Sequence, residues 1–309
     1  MEDKLSAFLP DSDTVSATQN VSRGLSAETG LPYKLIQDED IRALIKPRLD
    51  FSHKGTYGHA LIIAGERATM GAALLASSAC LYAGAGLTTA CIPESGLTAL
   101  NTSLPEVMYL SRERIFEHDL SVKYSAVAIG PGIGISDEAV ALLSRVLELK
   151  TPVVADADAL NLLASNGLLM QGLAKGSILT PHMKEFDTLF GLHETWYSRL
   201  QTARERAVEL GIVILLKNQY TFIIDADGMV YINPTGCPAM AQGGMGDVLT
   251  GIIAAFIAQG YPAKEAAILG CFIHGAAGAE LAETRFNVRA LEVAGLLPQM
   301  LKRYSVISR

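Results

Sequence analysis

Two glycine-rich segments carry the residues best suited to chemistry in this chain. One is Gly243-Gly244-Met245-Gly246-Asp247, which runs directly into the apolar stretch 248–258. Glycines admit positive φ and let a backbone come close to a ligand. At a helix start there, first-turn amides without intrahelical partners point at one spot, and the helix dipole adds a positive field. That is a cradle for phosphate oxygens. Spacing alone leaves Asp247 open between a capping side chain and a base that accepts a hydroxyl proton. The helix field should favour its ionised form. Phosphoryl transfer depends mainly on positioning and electrostatics, so a cradle with an adjacent base indicates transfer of a phosphoryl group from a nucleotide.

The second segment, Gly130-Pro131-Gly132-Ile133-Gly134, follows the apolar run 126–129. It lacks the spacing of a dinucleotide fingerprint, but the carboxyl end of a strand is where open α/β sheets bind ligands. Asp156-Ala157-Asp158-Ala159-Leu160-Asn161 follows another short apolar run. Carboxylates there can hold water, magnesium or a loop; Asp156 is the functional candidate, and Asp158 reads as a helix cap. Thr180-Pro181-His182 ends a further strand, so His182 is a candidate ligand contact at the same sheet edge. Lys217 closes the run 212–216 and either meets a nucleotide phosphate or is a solvated charge. His53, His59, His118, His193 and His274 have no ligand-like spacing and read as structural, with His53 and His274 the least settled. Trp196 falls in an expected connection and carries no role.

These segments need a scaffold that brings strand ends together. Buried strands are expected at 60–64, 87–92, 126–129, 153–155, 178–180 and 212–216. Helices are expected between them at 71–83, 137–149, 159–164, 185–190 and 202–210, after a short one near 38–45. Such alternation predicts an α/β fold with a mostly parallel central sheet flanked by helices on both faces. Asp225-Ala226-Asp227-Gly228 between 220–224 and 229–232 predicts a hairpin, and helices follow at 247–259, 263–282 and 290–301. The small residues of 71–83 predict tight helix–sheet packing, with the first turn as a ligand contact. Residues 1–33 are polar and read as a flexible leader or linker remnant, and 34–309 as one domain.

Half of the 309 residues are apolar, 18% are charged, and the formal charge is −7. That sign argues against a nucleic-acid or anionic-membrane partner, while leaving anionic small molecules open through backbone amides. Cys80, Cys91, Cys237 and Cys271 show no metal or disulfide spacing and read as free thiols. No apolar run reaches the roughly 18 residues of a membrane span, and the acidic start Met1-Glu2-Asp3 is unlike a signal peptide. A cytoplasmic protein is expected.

The order of segments brings a family into view. Lys54-Gly55-Thr56-Tyr57-Gly58, the loop 130–134, the run 156–161, Thr180-Pro181-His182, Asn233-Pro234-Thr235-Gly236 and the segment 243–247 resemble, in register, the ADP/ATP-dependent NAD(P)H-hydrate dehydratases of the ribokinase-like superfamily. The resemblance runs from about residue 35 to residue 301. It implies repair of (6S)-hydrated NADH or NADPH, in which ADP or ATP, with magnesium, phosphorylates the C6 hydroxyl and phosphate then leaves. By the same resemblance Asp247 is the base and also touches the hydrate. Lys217, Asn218, Gln219, Tyr220, Thr221, Gly243, Gly244, Met245 and Gly246 meet the nucleotide. Ala72, Gly132, Gly134 and His182 meet the hydrated dinucleotide, with Asp156, Asn161 and Lys184 as further candidates; the metal's ligands are not assigned. The family also implies a homotetramer and a functional link to an NAD(P)H-hydrate epimerase, whose domain residues 1–30 are too short to hold.

The chain departs from the family's pattern at Asn218 and Gln219 for Gly and Ala, Met183-Lys184 for Pro-Gly, Cys237 for Asn, and Gln242 for a small hydroxyl residue. Two rivals remain. A kinase of a small alcohol such as hydroxyethylthiazole or a pyridoxine-like vitamin would share the last segment. A nucleotide-binding module without catalysis would be expected to have lost the base or the glycines.

Overall fold

The computed structural model describes residues 33–117 and 120–305. Of the expected leader only Tyr33 is among them, and it opens a strand; the rest, and His118, lie outside the described residues. The strands are β1 Tyr33–Leu35, β2 His59–Ile63, β3 Leu87–Ile92, β4 Met108–Ser111, β5 Ala126–Ile129, β6 Val153–Ala155, β7 Ile178–Leu179, β8 Val213–Leu216, β9 Thr221–Ile224 and β10 Val230–Asn233. The helices are α1 Asp38–Leu44, α2 Met70–Tyr82, α3 Leu97–Ser103, α4 Leu120–Lys123, α5 Asp137–Glu148, α6 Asp158–Ser165, α7 Gly167–Gln171, α8 Met183–Phe190, α9 Trp196–Leu210, α10 Met245–Ala258, α11 Ala263–Ala282 and α12 Ala290–Ser305.

All ten strands form one sheet in the order β1-β10-β9-β8-β7-β6-β5-β2-β3-β4. Only β9 runs against its neighbours, β8 and β10, through the hairpin expected at 225–228. Side-chain alternation divides β2 between two cores. Ala60 and Ile62 face the layer of α2, α10, α11 and α12, while Leu61 and Ile63 face the layer of α5, α6, α8 and α9. Burial on both faces is why the central strands read as continuous apolar runs.

The chain leaves β2 outward through β3 and β4, then returns to place β5 on β2's other side. This reversal sets the loops that follow β2 and β5 side by side at the carboxyl edge of the sheet, the position at which open α/β sheets bind ligands. The loop 130–134 is one of the two.

The tight packing expected of α2 is confirmed, but its closest contact is with a helix. A Cβ on Gly251 of α10 would lie 2.0 Å from the Ala76 carbonyl oxygen of α2. Gly251→Ala is therefore expected to cost at least about 1–3 kcal/mol, the usual range for overpacking. Denaturant unfolding measures this; an unchanged midpoint would mean that the two helices part freely.

Two edge strands, β1 and β4, and the short helices α3, α4 and α7 were not expected. Trp196 is the first residue of α9 rather than part of a connection. No helix among the described residues is long and apolar enough to cross a membrane.

Candidate active site

Helix α10 delivers its start to the carboxyl edge of the sheet. Its N-cap is Gly244, at φ 90° and ψ −9°, a left-handed conformation that glycine adopts without cost. Asp247 is thus the third helical residue and not the cap, which removes the capping alternative. The amides of Met245, Gly246 and Asp247 are first-turn donors without intrahelical carbonyls.

Beneath them lies a buried ion pair. Lys217 Nζ is 2.9 Å from Asp156 Oδ1, and Thr250 Oγ1, one turn after Asp247, donates to Asp156 Oδ2 at 2.8 Å. A Cβ on Gly246 would be 3.5 Å from Asp156 Oδ2 and 3.6 Å from Lys217 Nζ. The start of the helix therefore lies directly over the pair, at ordinary contact distance. Burial opposes the charge on Asp156, but the Lys217 ammonium and hydrogen bonds from Lys217, Thr180 and Thr250 outweigh it and lower its pKa. Burial likewise opposes the charge on Lys217, and Asp156 with its neighbours raises its pKa. The alternative of a solvated Lys217 is corrected: its side chain is 21% exposed and paired.

Asp247 behaves differently from the sequence-based expectation. Its carboxyl is pushed up to about 6, first by burial and then by the negative charge of Asp156; Lys217 opposes and Asp158 adds to the rise. The helix field is outweighed by desolvation and a neighbouring carboxylate. A base poised near neutrality is suited to taking a hydroxyl proton.

A cleft of about 660 Å³ opens beside the helix start. Lys217, Asn218, Gln219, Tyr220 and Thr221 all line it, as do Met245 and Gly246. Gly243 and Gly244 do not; Gly244 instead packs against α2 and α12, where a Cβ would meet Leu75 at 2.5 Å and Ala290 at 3.1 Å. Asn233, Thr235, Cys237, Met240 and His274 complete the wall. Of these, His274 reads from the sequence as structural but among the least settled of the histidines. Burial and the nearby Lys217 push its imidazole down to about 4, so it contributes a neutral surface. The segment 233–236 is docked on α11: Asn233 Nδ2 donates to the Cys271 carbonyl at 3.3 Å and Thr235 Oγ1 to the Phe272 carbonyl at 3.1 Å. Gly275 makes this approach feasible, since a Cβ there would be 2.3 Å from Thr235 Oγ1.

The paired loops after β2 and β5 carry other expected contacts. A Cβ on Gly132 would lie 3.1 Å from the Ala72 Cβ, so these two residues are neighbours. The loops are laced together: Gly65 N donates to the Pro131 carbonyl at 2.7 Å, and Thr69 Oγ1 to the Gly132 carbonyl at 2.7 Å. Arg112, buried at the end of β4, donates to the Gly65 carbonyl and pairs with Glu138 at 2.7 Å. This arginine had no signal in the sequence, because the edge strand that carries it was not read. Gly134 N donates to Asp158 Oδ2 at 2.9 Å. The Gly134 amide is thus engaged within the protein, and one reading is corrected: Asp158 is not a cap, since Ala157 precedes α6 in that position.

His182 caps α8. Its Nδ1 accepts from Glu185 N at 3.1 Å while Glu185 Oε2 accepts from His182 N at 2.8 Å. The side chain remains 53% exposed, beside Lys217 through a parallel bridge between the two strand ends. Asn161 is exposed on α6. Lys184 lines a shallow depression with Asp187 and Leu192 rather than the cleft. The other described histidines are structural: His53 caps a turn, His59 bonds Thr89 at 2.8 Å, and His193 meets Asp187 at 2.9 Å. The four cysteines are free, with Cys80, Cys91 and Cys271 buried.

A mostly parallel sheet between helical layers, with an amide cradle and a carboxylate at its edge, defines a ribokinase-like protein. The chain belongs to the NAD(P)H-hydrate dehydratase family, whose pattern matches residues 60–299. It is 40% identical over 301 residues to the bifunctional NAD(P)H-hydrate repair enzyme of Moorella thermoacetica, covering 88% of this chain and 56% of that protein. The chain thus spans about half the length of the bifunctional relatives it matches. It is 34% identical to the ADP-dependent (S)-NAD(P)H-hydrate dehydratase of Lactiplantibacillus plantarum, covering 87% of this chain and 96% of that one. Among solved structures, the ADP/ATP-dependent NAD(P)H-hydrate dehydratase from Bacillus subtilis, co-crystallised with ATP and Mg2+, is similar at TM-score 0.80 and 32% identity, over 89% of this chain and 99% of that one.

Proposed function

We propose that the chain dehydrates (6S)-hydrated NADH or NADPH at the expense of ADP or ATP. The observation that carries this reading is Asp247, a base with a pKa near neutrality at the start of a helix that borders a nucleotide-sized cleft. Asp247 takes the proton of the C6 hydroxyl as that oxygen attacks the nucleotide's terminal phosphorus. The new O–P bond forms as the bond to the departing AMP or ADP breaks, and the first-turn amides of α10 stabilise the migrating phosphoryl group. The ring nitrogen's lone pair then expels phosphate from C6. Loss of a proton from C5 restores the dihydronicotinamide.

Lys217–Thr221 and the segment 243–246 bind the nucleotide in this reading, and Ala72, Gly132, Gly134, the exposed edge of His182 and Asp247 bind the hydrate. Among the described residues no three His, Cys, Asp or Glu side chains form a metal cage, and Asp156 is already held by Lys217 and Thr250. In this reading magnesium would enter on the nucleotide's own phosphates, where it would neutralise charge on the oxygens. A homotetramer, a cytoplasmic location and a functional link to an epimerase belong to the same proposal; the bifunctional relatives support the last.

The test supplies hydrated NADH with ADP or ATP and follows dihydronicotinamide absorbance. Recovery of NADH with release of phosphate is expected. A stable phosphorylated small alcohol without NADH recovery would favour the kinase rival, and nucleotide binding without any turnover the non-catalytic one. Because the base must be ionised, kcat/KM for the hydrate should fall about tenfold per pH unit below the apparent pKa near 6. A flat profile down to pH 5 would separate this residue from the rate.

A further inference from the structure

Residues 156–158 join the two halves of the site, and the joint is unusual. Ala157 has φ 50° and ψ −121°, and the only other non-glycine at positive φ among the described residues is Lys150. A conformation of this kind costs about 1–3 kcal/mol and persists where its surroundings over-determine it. They do so here. Asp156 N donates to the Ile129 carbonyl at 3.2 Å, and Ala159 N to the Asp156 carbonyl at 3.1 Å. Gly130 presses on the same carbonyl, since a Cβ there would be 1.8 Å from it.

The turn at Ala157 sends the two flanking carboxylates to different partners. Asp156 is fixed to Lys217 and, through Thr250, to the helix that carries the base. Asp158 reaches the loop after the neighbouring strand β5 and accepts from Gly134 N at 2.9 Å. An ordinary cap would have bonded its own helix; this side chain bonds the tip of the loop on the hydrate side. Its negative charge also faces Asp247, together with Asp156 and Lys217.

We propose that Asp158 is a positioning residue that holds the loop 130–134 in register with Asp247, so that the hydrated ring and the base meet in one geometry. The proposal rests on the dehydratase reading of the site. Asp158 touches neither reacting atoms nor nucleotide in this account; it acts through Gly134 and through its charge.

Two substitutions separate the roles. Asp158→Asn keeps an acceptor for the Gly134 amide and removes the charge. Asp158→Ala removes both. For Asp158→Ala the KM of the hydrate should rise by about tenfold or more, the effect of losing a charge-assisted hydrogen bond, while the nucleotide's KM stays within about twofold. For Asp158→Asn the hydrate's KM should stay within about twofold, and the acid limb of kcat/KM should move to lower pH because one neighbouring negative charge is gone. Amide exchange at Gly134, followed by NMR, should accelerate in Asp158→Ala and remain slow in Asp158→Asn.

Unchanged exchange in Asp158→Ala would remove the tie. Faster exchange with an unaltered hydrate KM, or a rise in both KM values together, would reduce Asp158 to a general structural role and overturn the proposal. Inactivity of the unmodified protein on hydrated NADH would sink the functional reading, and this inference with it. The exchange measurement needs no substrate, so the two failures are distinguishable.

Discussion

Asp247→Asn is expected to lower turnover by about 10²–10⁴, the usual contribution of a positioned base, while nucleotide affinity is retained. The amide of asparagine fills the same volume and leaves Gly244, Met245 and Gly246 undisturbed, so the cradle persists without its proton acceptor. Stability separates this outcome from misfolding, because the Asp247 carboxyl has its pKa raised to about 6 in the folded protein, above its value of roughly 3.9 in an unfolded chain. The native state therefore binds the proton more tightly, and ionising this residue destabilises the fold as pH rises from about 4 to 6. At pH 8 the substitution removes that penalty and should raise the melting temperature; at pH 3, where both states are protonated, it should have little effect. A variant that is inactive yet more stable at pH 8 identifies a functional carboxylate. Near-wild-type turnover would remove Asp247 from the mechanism.

The second large effect is expected at the pair beneath the cradle. Asp156→Ala leaves the Lys217 ammonium without its partner at 2.9 Å, in a site where the Asp156 side chain is only 3% exposed. Breaking a buried pair from one side typically costs about 3–5 kcal/mol, mostly for the stranded charge. Thr250 loses its acceptor as well, so the start of α10 is freed from β6. Both the melting temperature and turnover should fall. Replacing both members with apolar residues of similar volume, Asp156→Leu with Lys217→Met, should recover much of the stability but not the turnover, since Lys217 also faces the cleft. Additive losses in the double variant would show that the two charges do not interact.

The parts of the site legible in the sequence are those whose chemistry is local. Glycine at 244 is demanded by its own φ of 90°, and the run 243–247 announces a helix start without reference to the rest of the chain. The central strands were legible because burial on both faces makes them apolar throughout. Edges were harder. In β4, Met108 is 38% exposed and the strand has four residues, so neither length nor alternation marks it, and Arg112 at its end was missed with it.

Long-range partnerships left no local trace. Lys217 and Asp156 are 61 residues apart, and each alone reads as a polar residue at a strand end. The raised pKa of Asp247 depends on that same assembly, so the helix field, the one influence visible in the sequence, suggested the opposite direction. Asp158 illustrates a third limit. Aspartate at a helix start is a reasonable cap, and only the turn at Ala157 redirects it to Gly134. His182 shows the reverse case: the spacing to Glu185 is that of a capping box, a role that the family resemblance left unconsidered.

The most direct test is a crystal soaked with AMP and NADPH. The phosphate of AMP should lie within hydrogen-bond reach of the amides of Met245, Gly246 and Asp247, and C6 of the dihydronicotinamide should face the Asp247 carboxylate, on the side of Gly132. A nucleotide phosphate bound away from the start of α10, or an Asp247 side chain turned from the ring, would contradict the account.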